Sequence, residues 1–209
     1  MVKKTLSQNI WLQRDKSDRF KKYVKKEGYR SRAAYKLLEI ENKFKILKPN
    51  LSIIDLGAAP GSWSQVVATH NKIKNNNEKI FAVDINDIVP VKGVIFIKKN
   101  VNDLLEKNSF FVDRHFNLIL SDMAPRSTGH KFTDQANASI LAEKALVFAK
   151  RYLYRNGNLV CKLLGGNNDK ALISDAKKYF KIVKLFKPTA SRNSSKEIYL
   201  ICLTFNNLQ

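Results

Sequence analysis

The sequence predicts an α/β fold in which a mostly parallel sheet of seven strands carries helices on both faces and ends in an antiparallel strand. Short apolar runs occur without polar alternation, as expected for strands that are buried on both faces. Helical patterns separate most of these runs, which is the order of a doubly wound sheet. The last two runs have no helix between them, so the final strand should pair with its neighbour in the antiparallel direction.

Each predicted element follows from its local pattern. Residues 30–41 place alanine, leucine and isoleucine near the 3.6-residue period of a helix, with Lys36 beside the apolar stripe. The Asn156-Gly157 pair predicts a turn just before the fifth strand. The predicted strands are residues 52–56, 80–83, 94–97, 117–120, 158–164, 182–186 and 198–205. The predicted helices are residues 30–41, 62–70, 135–154 and 171–180.

Length and composition predict a basic N-terminal arm over residues 1–28 and a single domain over residues 29–209. The hydrophobic fraction of 44% is enough for a core, and we find neither a signal-peptide pattern nor an apolar run long enough for a membrane helix. Cys161 and Cys202 are too few for a disulfide scaffold, and the three histidines lack the spacing of a metal site. We therefore predict a cytoplasmic, monomeric, metal-free protein without membrane contact.

The net charge points to a class of partner. Lys and Arg number 38 and Asp and Glu number 18, which gives +20. Residues 1–50 hold 15 basic and 5 acidic side chains, so half of the excess lies in the first quarter of the chain. Such an uneven distribution favours a polyanionic partner such as nucleic acid. The alternative explanation is the codon bias of an AT-rich genome, because 29 of the 38 basic residues are Lys.

A glycine-containing turn after the first strand is the strongest local candidate for a ligand site. The turn reads DLGAAPGSW over residues 55–63, and its small residues allow a ligand to approach the backbone closely. Asp84 follows the second strand, where a carboxylate can accept hydrogen bonds from ribose hydroxyls. Together these features predict an adenosine-containing cofactor. A dinucleotide is the weaker alternative, because the G-x-G-x-x-G pattern is absent.

Five segments in chain order resemble those of one family. DLGAAPGSW is similar to the first motif of S-adenosylmethionine-dependent methyltransferases, in the form used by the FtsJ-like (RlmE-type) RNA ribose 2′-O-methyltransferases. Similarity to the family's lysine, aspartate, second-lysine and glutamate motifs is found in RSRAAYKL (30–37), SDMAP (121–125), VCKLL (160–164) and SRNSSKEIYL (191–200). The resemblance covers almost the whole chain and implies a Rossmann-like S-adenosylmethionine-dependent methyltransferase fold.

The resemblance also implies a set of site residues. The family's catalytic tetrad falls on Lys36, Asp122, Lys162 and Glu197. Its contacts with S-adenosylmethionine fall on Gly61, Trp63, Asp84, Asn100 and Asp122. Contacts with RNA phosphates are expected from Arg30, Arg32 and Lys36. Position 100 is usually acidic in the family, although an amide oxygen can still accept a hydrogen bond from an adenine amino group.

A Lys-Asp-Lys-Glu tetrad suits methyl transfer to a sugar hydroxyl. The cofactor carries an activated methyl group, so the protein has to place the oxygen in line with it and handle the hydroxyl proton. We expect Lys162 to be central, with Asp122 orienting it. Lys162 acts either as a base, if it is neutral, or as an ammonium that stabilises the developing alkoxide. The sequence leaves these two roles open.

The function that the resemblance implies is methylation of a uridine ribose in large-subunit (23S-type) ribosomal RNA, within the ribosomal subunit. Two alternatives stay open: a 2′-O-methyltransferase acting on transfer RNA, and a non-catalytic RNA-binding module that retains the fold. Cys161 and Cys202 lack the sequence setting of a cytosine-5 methyltransferase nucleophile. The Asn/Asp-Pro-Pro-aromatic motif of amino-group methyltransferases is also absent.

Overall fold

The computed structural model describes residues 24, 26–71, 79–106, 110–166, 169–192 and 195–206. The predicted arm, residues 1–28, lies almost entirely outside these residues. The strands are β1 (Ile53–Leu56), β2 (Ile80–Asp84), β3 (Val94–Lys98), β4 (Phe116–Ser121), β5 (Leu153–Leu163), β6 (Phe180–Phe186) and β7 (Ile198–Phe205). The helices of the described part include α1 (Ala33–Phe44), α2 (Ser62–Asn71), α3 (Val101–Leu104), α4 (Lys131–Tyr152) and α5 (Asp169–Tyr179).

The strands form one sheet with the order β3-β2-β1-β4-β5-β7-β6. Strands β1 to β5 pair in parallel, whereas β7 lies between β5 and β6 and is antiparallel to both. The predicted seven-stranded sheet and the direction of its last strand are therefore confirmed. Because β1 pairs with both β2 and β4, the order reverses there, and the carboxyl ends of these strands form the crevice where such sheets bind ligands.

Two apolar layers cover the sheet. The side chains of β1 are all buried, and successive residues point to opposite faces. Ile53 packs in the layer formed by α1 and α2, together with Leu37 and Val66. Ile54 packs in the opposite layer, which contains the apolar side of α4. This two-sided burial explains why β1 and β2 show no alternation of apolar and polar residues. No helix in the described part of the chain is long and apolar enough to cross a membrane.

The structure shifts several predicted boundaries. Helix α4 begins at Lys131 rather than at residue 135, because the only large apolar residue of its first turn is the exposed Phe132, and no apolar periodicity marks the start. Strand β5 begins at Leu153 rather than at residue 158, and the Asn156-Gly157 turn is an irregularity within the β4–β5 pairing. Helix α3 was not predicted; it is a single turn with a capping box between Asn100 and Asp103.

Candidate active site

All four residues of the predicted tetrad lie near the carboxyl ends of the central strands. The Lys162 Nζ atom is 3.0 Å from the Asp122 Oδ1 atom. The Lys36 Nζ atom lies 2.7 Å from the Glu197 Oε1 atom and 2.8 Å from the Oε2 atom. The side chains of Lys36 and Lys162 are 9% and 8% exposed, so these are buried ion pairs rather than surface ones.

Strand register explains why residues from distant parts of the sequence meet here. Ser121 of β4 pairs with Cys161 of β5, so the next residues along the two parallel strands are Asp122 and Lys162. Lys162 in turn pairs with Tyr199 of the antiparallel β7. Glu197 immediately precedes β7 and therefore lies at the same end of the sheet. Lys36 reaches this end from α1, where it is buried with Leu37 and Ile40 rather than lying beside the apolar stripe.

Asp122 is the centre of the cluster. Its carboxylate also accepts a 2.7 Å hydrogen bond from the Tyr199 hydroxyl, and its backbone oxygen accepts a 2.6 Å hydrogen bond from the Lys162 Nζ atom. Burial favours the neutral form of the carboxyl group. The ammonium groups of Lys162 and Lys36 outweigh burial and hold the pKa of Asp122 below its usual value. Asp122 is therefore a carboxylate at neutral pH.

Tyr199 is a further member of the cluster that the sequence did not single out, although it lies within the SRNSSKEIYL segment. It is fully buried, and its ring lies 5.6 Å from the ring of Trp63. Burial, followed by the charges of Asp122 and Glu197, raises the pKa of Tyr199 well above its usual value. The hydroxyl therefore stays protonated and donates a hydrogen bond to Asp122. Tyr199 follows Glu197 by two residues, and in a strand this spacing puts both side chains on the same face. That spacing is the sequence signal by which Tyr199 could have been identified.

Glu197 also has partners beyond Lys36. Its Oε1 atom accepts a 2.8 Å hydrogen bond from the Ser191 hydroxyl. Its backbone N–H donates to the Ser195 hydroxyl over 3.2 Å. Both carboxylate oxygens of Glu197 are thus satisfied, which is the condition under which a buried carboxylate is tolerated.

A cavity of about 560 Å³ opens beside the tetrad, over the carboxyl ends of β1, β2 and β4. Its walls include Gly57 and Ala59 of the glycine turn, Asp84, Asn100 and Asp122. Gly57 has a φ of +75°, and a Cβ atom there would lie 2.8 Å from the backbone N atom of Met123. The turn can therefore approach the segment after β4 only with glycine at this position. Because Asp122 lines the cavity, the cavity and the tetrad are continuous.

The two predicted adenosine contacts already have protein partners. The Asp84 carboxylate accepts hydrogen bonds from the backbone N–H of Ala59 at 2.9 Å and from the N–H and side-chain amide of Asn86 at 2.8 and 3.0 Å. A carboxylate has about four acceptor positions, so one remains for a ribose hydroxyl. The Asn100 Oδ1 atom accepts a 3.0 Å hydrogen bond from the N–H of Asn102 and so caps α3.

The remaining predicted residues lie around the glycine turn rather than in the cavity wall. Trp63 is buried against α1, where its Nε1 atom donates a 2.7 Å hydrogen bond to the Ala33 carbonyl. Gly61 has a φ of +102° and packs against the Arg30 guanidinium. That guanidinium donates 2.9 Å hydrogen bonds to the carbonyls of Pro60 and Pro90. Arg32 is partly exposed at the start of α1.

Neither cysteine is suited to nucleophilic catalysis. Cys161 and Cys202 are free thiols buried in the sheet. Burial raises the pKa of Cys161 to about 12 and the pKa of Cys202 still further. Both thiols therefore stay protonated and act as small core residues.

A switch-point cavity that is continuous with a buried Lys-Asp-Lys-Glu cluster defines a Rossmann-like enzyme of the methyltransferase class. Sequence comparison agrees, since the profile of the FtsJ-like methyltransferase family matches residues 29–205. The chain belongs to that family, as its motifs predicted.

Curated relatives and solved structures agree with this assignment. The chain is 44% identical over 200 residues to the Ribosomal RNA large subunit methyltransferase E of Wolbachia sp. subsp. Brugia malayi, with 96% of this chain and 90% of the relative covered. The protein of the same name from Rickettsia akari is 42% identical over 208 residues, with the same coverage. A crystal structure of a ribosomal RNA methyltransferase from Plasmodium falciparum superposes with a TM-score of 0.72 at 33% identity, covering 85% of this chain and 98% of that one.

Proposed function

We propose that the chain transfers the methyl group of S-adenosylmethionine to the ribose 2′-hydroxyl of a uridine in large-subunit ribosomal RNA, with the ribosomal subunit as the substrate particle. The observation that carries this proposal is the buried Lys162–Asp122 pair at the wall of the cavity. The names of relatives that match nearly the whole chain, which specify large-subunit ribosomal RNA, support the choice of RNA.

The cavity suits S-adenosylmethionine in size and in donor set. Its volume of about 560 Å³ falls in the range of small-molecule sites. The open acceptor position on Asp84 fits a ribose hydroxyl, and the small residues Gly57 and Ala59 of the turn line the cavity. When bound, the cofactor would supply a methyl group activated by a sulfonium, and Asp122 would lie at that end of the cavity.

Lys162 acts in this proposal as an ammonium. Its Nζ atom already donates to two acceptors, the carboxylate and the backbone oxygen of Asp122. An ammonium then has one proton left, which can be directed at the 2′-oxygen and stabilise the charge that develops there. With the nucleotide bound, the Lys162 ammonium would stabilise the 2′-oxygen while the hydroxyl proton leaves to water. Tyr199 and Asp122 hold Lys162 in place.

Lys36 and Glu197 orient the nucleotide in this proposal. Their ion pair is fully formed, and the positive charge of Lys36 also acts on Asp122. Lys36, on α1, thus helps to keep Asp122 ionised. The basic N-terminal quarter of the chain leads into this helix. Positioning of this kind can supply a large part of the rate enhancement of a transfer reaction.

The test combines cofactor binding with methylation mapping. Calorimetry of the purified chain should detect S-adenosylmethionine binding and no preference for NAD. Ribose methylation is then mapped on ribosomes and transfer RNA from cells with and without the gene. Loss of one methylated uridine in large-subunit RNA is the expected result. Loss of a mark in transfer RNA instead, or cofactor binding without any lost mark, would overturn the proposed substrate or the proposed catalysis respectively.

A further inference from the structure

Phe132 has an environment that the catalytic cluster and the cavity do not explain. It lies in the first turn of α4 and is 84% exposed, more than any other large hydrophobic side chain in the described part of the chain. A solvated phenylalanine contributes nothing to the core and leaves a large apolar ring in water. An aromatic ring in that state can serve as a stacking surface for a base.

Hydrogen bonds of its neighbours Asp134 and Gln135 anchor the turn that carries Phe132. The Asp134 carboxylate accepts hydrogen bonds from Ser127 and Thr128 at 2.7 to 3.0 Å, which joins the first turn of α4 to the segment that follows Asp122. The Gln135 side chain donates a 2.9 Å hydrogen bond to the Gly165 carbonyl, just beyond the strand that carries Lys162. The first turn of α4 is therefore anchored to both sides of the Lys162–Asp122 pair.

The helical period defines the direction of Phe132 more closely. With 3.6 residues per turn, Phe132 is about 60° around the helix from Gln135 and about 80° from Ile140, on the two opposite sides. Gln135 faces the end of β5, whereas Ile140 lines the cofactor cavity and is itself 47% exposed. Phe132 accordingly lies on the solvent side of the first turn, nearer in direction to Gln135 and the end of β5 than to the cavity wall, to which α4 contributes Asn137, Ile140, Leu141 and Lys144.

The surroundings of Phe132 are basic. Lys131, its neighbour in α4, lies close enough to Lys196 that the two ammonium groups interact, and this contact lowers the pKa of Lys196. Arg126 is exposed at the wall of the cavity on the other side. The acidic residue of this turn, Asp134, is occupied by Ser127 and Thr128. A pair of lysines that makes no ion pair with an acidic group among the described residues, next to an exposed ring, matches a nucleotide, which presents a phosphate and a base together.

We propose that Phe132, Lys131 and Lys196 form a nucleotide subsite on the substrate RNA, in which the ring stacks on a base and the two lysines bind the adjacent phosphate. The proposal rests on the proposed function, because it assumes that RNA is the substrate. It adds a recognition element outside the tetrad, at the first turn of α4. It also explains why an apolar ring is held in solvent at this point.

The test measures KM and kcat for methylation of ribosomal subunits isolated from cells that lack the gene. Loss of one stacking contact should raise KM for Phe132→Ala between about 5- and 100-fold, while kcat changes less. Phe132→Tyr keeps the ring and should stay within about threefold of wild type. The double variant Lys131→Ala/Lys196→Ala should raise KM and reduce the slope of log affinity against log salt by about 1. Affinity for S-adenosylmethionine should be unchanged in all of them.

Phe110→Ala is the matched control. Phe110 is 59% exposed but precedes β4, at the opposite end of the strands. A similar rise in KM for this control, or a KM within twofold of wild type for Phe132→Ala, would overturn the subsite. Full activity of Phe132→Ala together with a changed melting temperature would also overturn the subsite, because the ring would then contribute only to stability. If the wild-type chain binds S-adenosylmethionine but methylates no subunit, the proposed function fails, whichever result the variants give.

Discussion

Replacing Lys36 by methionine separates the structural role of the Lys36–Glu197 pair from its role in the reaction. Methionine matches the length of the lysine stem but removes the charge that faces both Glu197 oxygens at 2.7 and 2.8 Å. Glu197 then keeps its hydrogen bond from Ser191, but its charge has no counter-ion. Breaking a buried ion pair from one side costs about 3–5 kcal/mol, because the remaining charge is left in a poorly solvated site.

That loss is large enough to measure in a domain of this size. For 150–250 residues, 1 kcal/mol changes the melting temperature by about 2–4 °C, so Lys36→Met should melt about 6–20 °C below wild type. The double variant Lys36→Met/Glu197→Gln removes both charges and keeps an acceptor for Ser191. Its stability should return to within about 1 kcal/mol of wild type, since replacing a whole buried pair is often nearly neutral.

Methyl transfer supplies the second measurement. Single-turnover rates at 25 °C should be reduced about 100-fold in Lys36→Met and should remain reduced in the double variant, because neither can orient the nucleotide. Recovery of the rate along with the stability would mean that the pair only holds the fold, and would refute its place in the tetrad. A single variant as stable as wild type would instead refute the energetic argument from burial.

Further perturbations test Lys162, a buried carboxylate and the N-terminal arm. Lys162→Ala should abolish methyl transfer, while its affinity for S-adenosylmethionine, measured by calorimetry, should stay within about threefold of wild type. Lys162→Arg should retain measurable transfer if the positive charge is what the reaction needs. If both variants are inactive, the result would favour Lys162 as a base. Burial raises the pKa of Asp55 to about 7. Between about pH 4 and pH 7 the folded protein therefore keeps a proton on Asp55 that the unfolded chain has lost. The free energy of unfolding of the wild type should accordingly fall by up to about 4 kcal/mol as the pH rises through this range. The free energy of unfolding in urea should therefore shift in favour of Asp55→Asn over wild type between pH 5 and pH 8. The same difference between variant and wild type at both pH values would contradict this. Deleting residues 1–23 should reduce the salt dependence of RNA binding, and an unchanged slope would attribute the excess lysine to codon bias.

The fold was predictable because its signal is repeated along the chain. The five parallel strands each carry a short stretch rich in apolar residues without polar alternation, and the missing helix before β7 gives the direction of that strand. Boundaries were less predictable where tertiary contacts define them. The first turn of α4 depends on hydrogen bonds between Asp134 and a loop, and no apolar period marks them. Similarly, α3 is one turn made by a capping box and is too short for periodicity to detect.

The tetrad residues could be named from ordered motifs, but their partners could not. Strand register brings Tyr199 to Asp122, and a sequence carries register only indirectly. The same limit applies to Arg30, which was predicted to contact RNA. In the structure its guanidinium donates to the carbonyls of Pro60 and Pro90, so at least part of its bonding capacity serves the glycine turn. Its contact with RNA stays a prediction.

The contacts of Arg30 extend to a wider connection between the N-terminal segment and the cofactor turn. The Ser31 hydroxyl hydrogen-bonds the Ser62 hydroxyl at 2.8 Å, and Trp63 donates to the Ala33 carbonyl at 2.7 Å. The segment that enters α1 is thus attached to the turn and the start of α2 at three points within four residues, Arg30, Ser31 and Ala33. Because Lys36 follows on the same helix, its position relative to the cofactor cavity is fixed by hydrogen bonds from both backbone and side chains. A displacement of the segment before α1 would therefore move Lys36 and the glycine turn together, so in the proposed mechanism the orientation of the nucleotide and the shape of the cofactor site depend on the same hydrogen bonds.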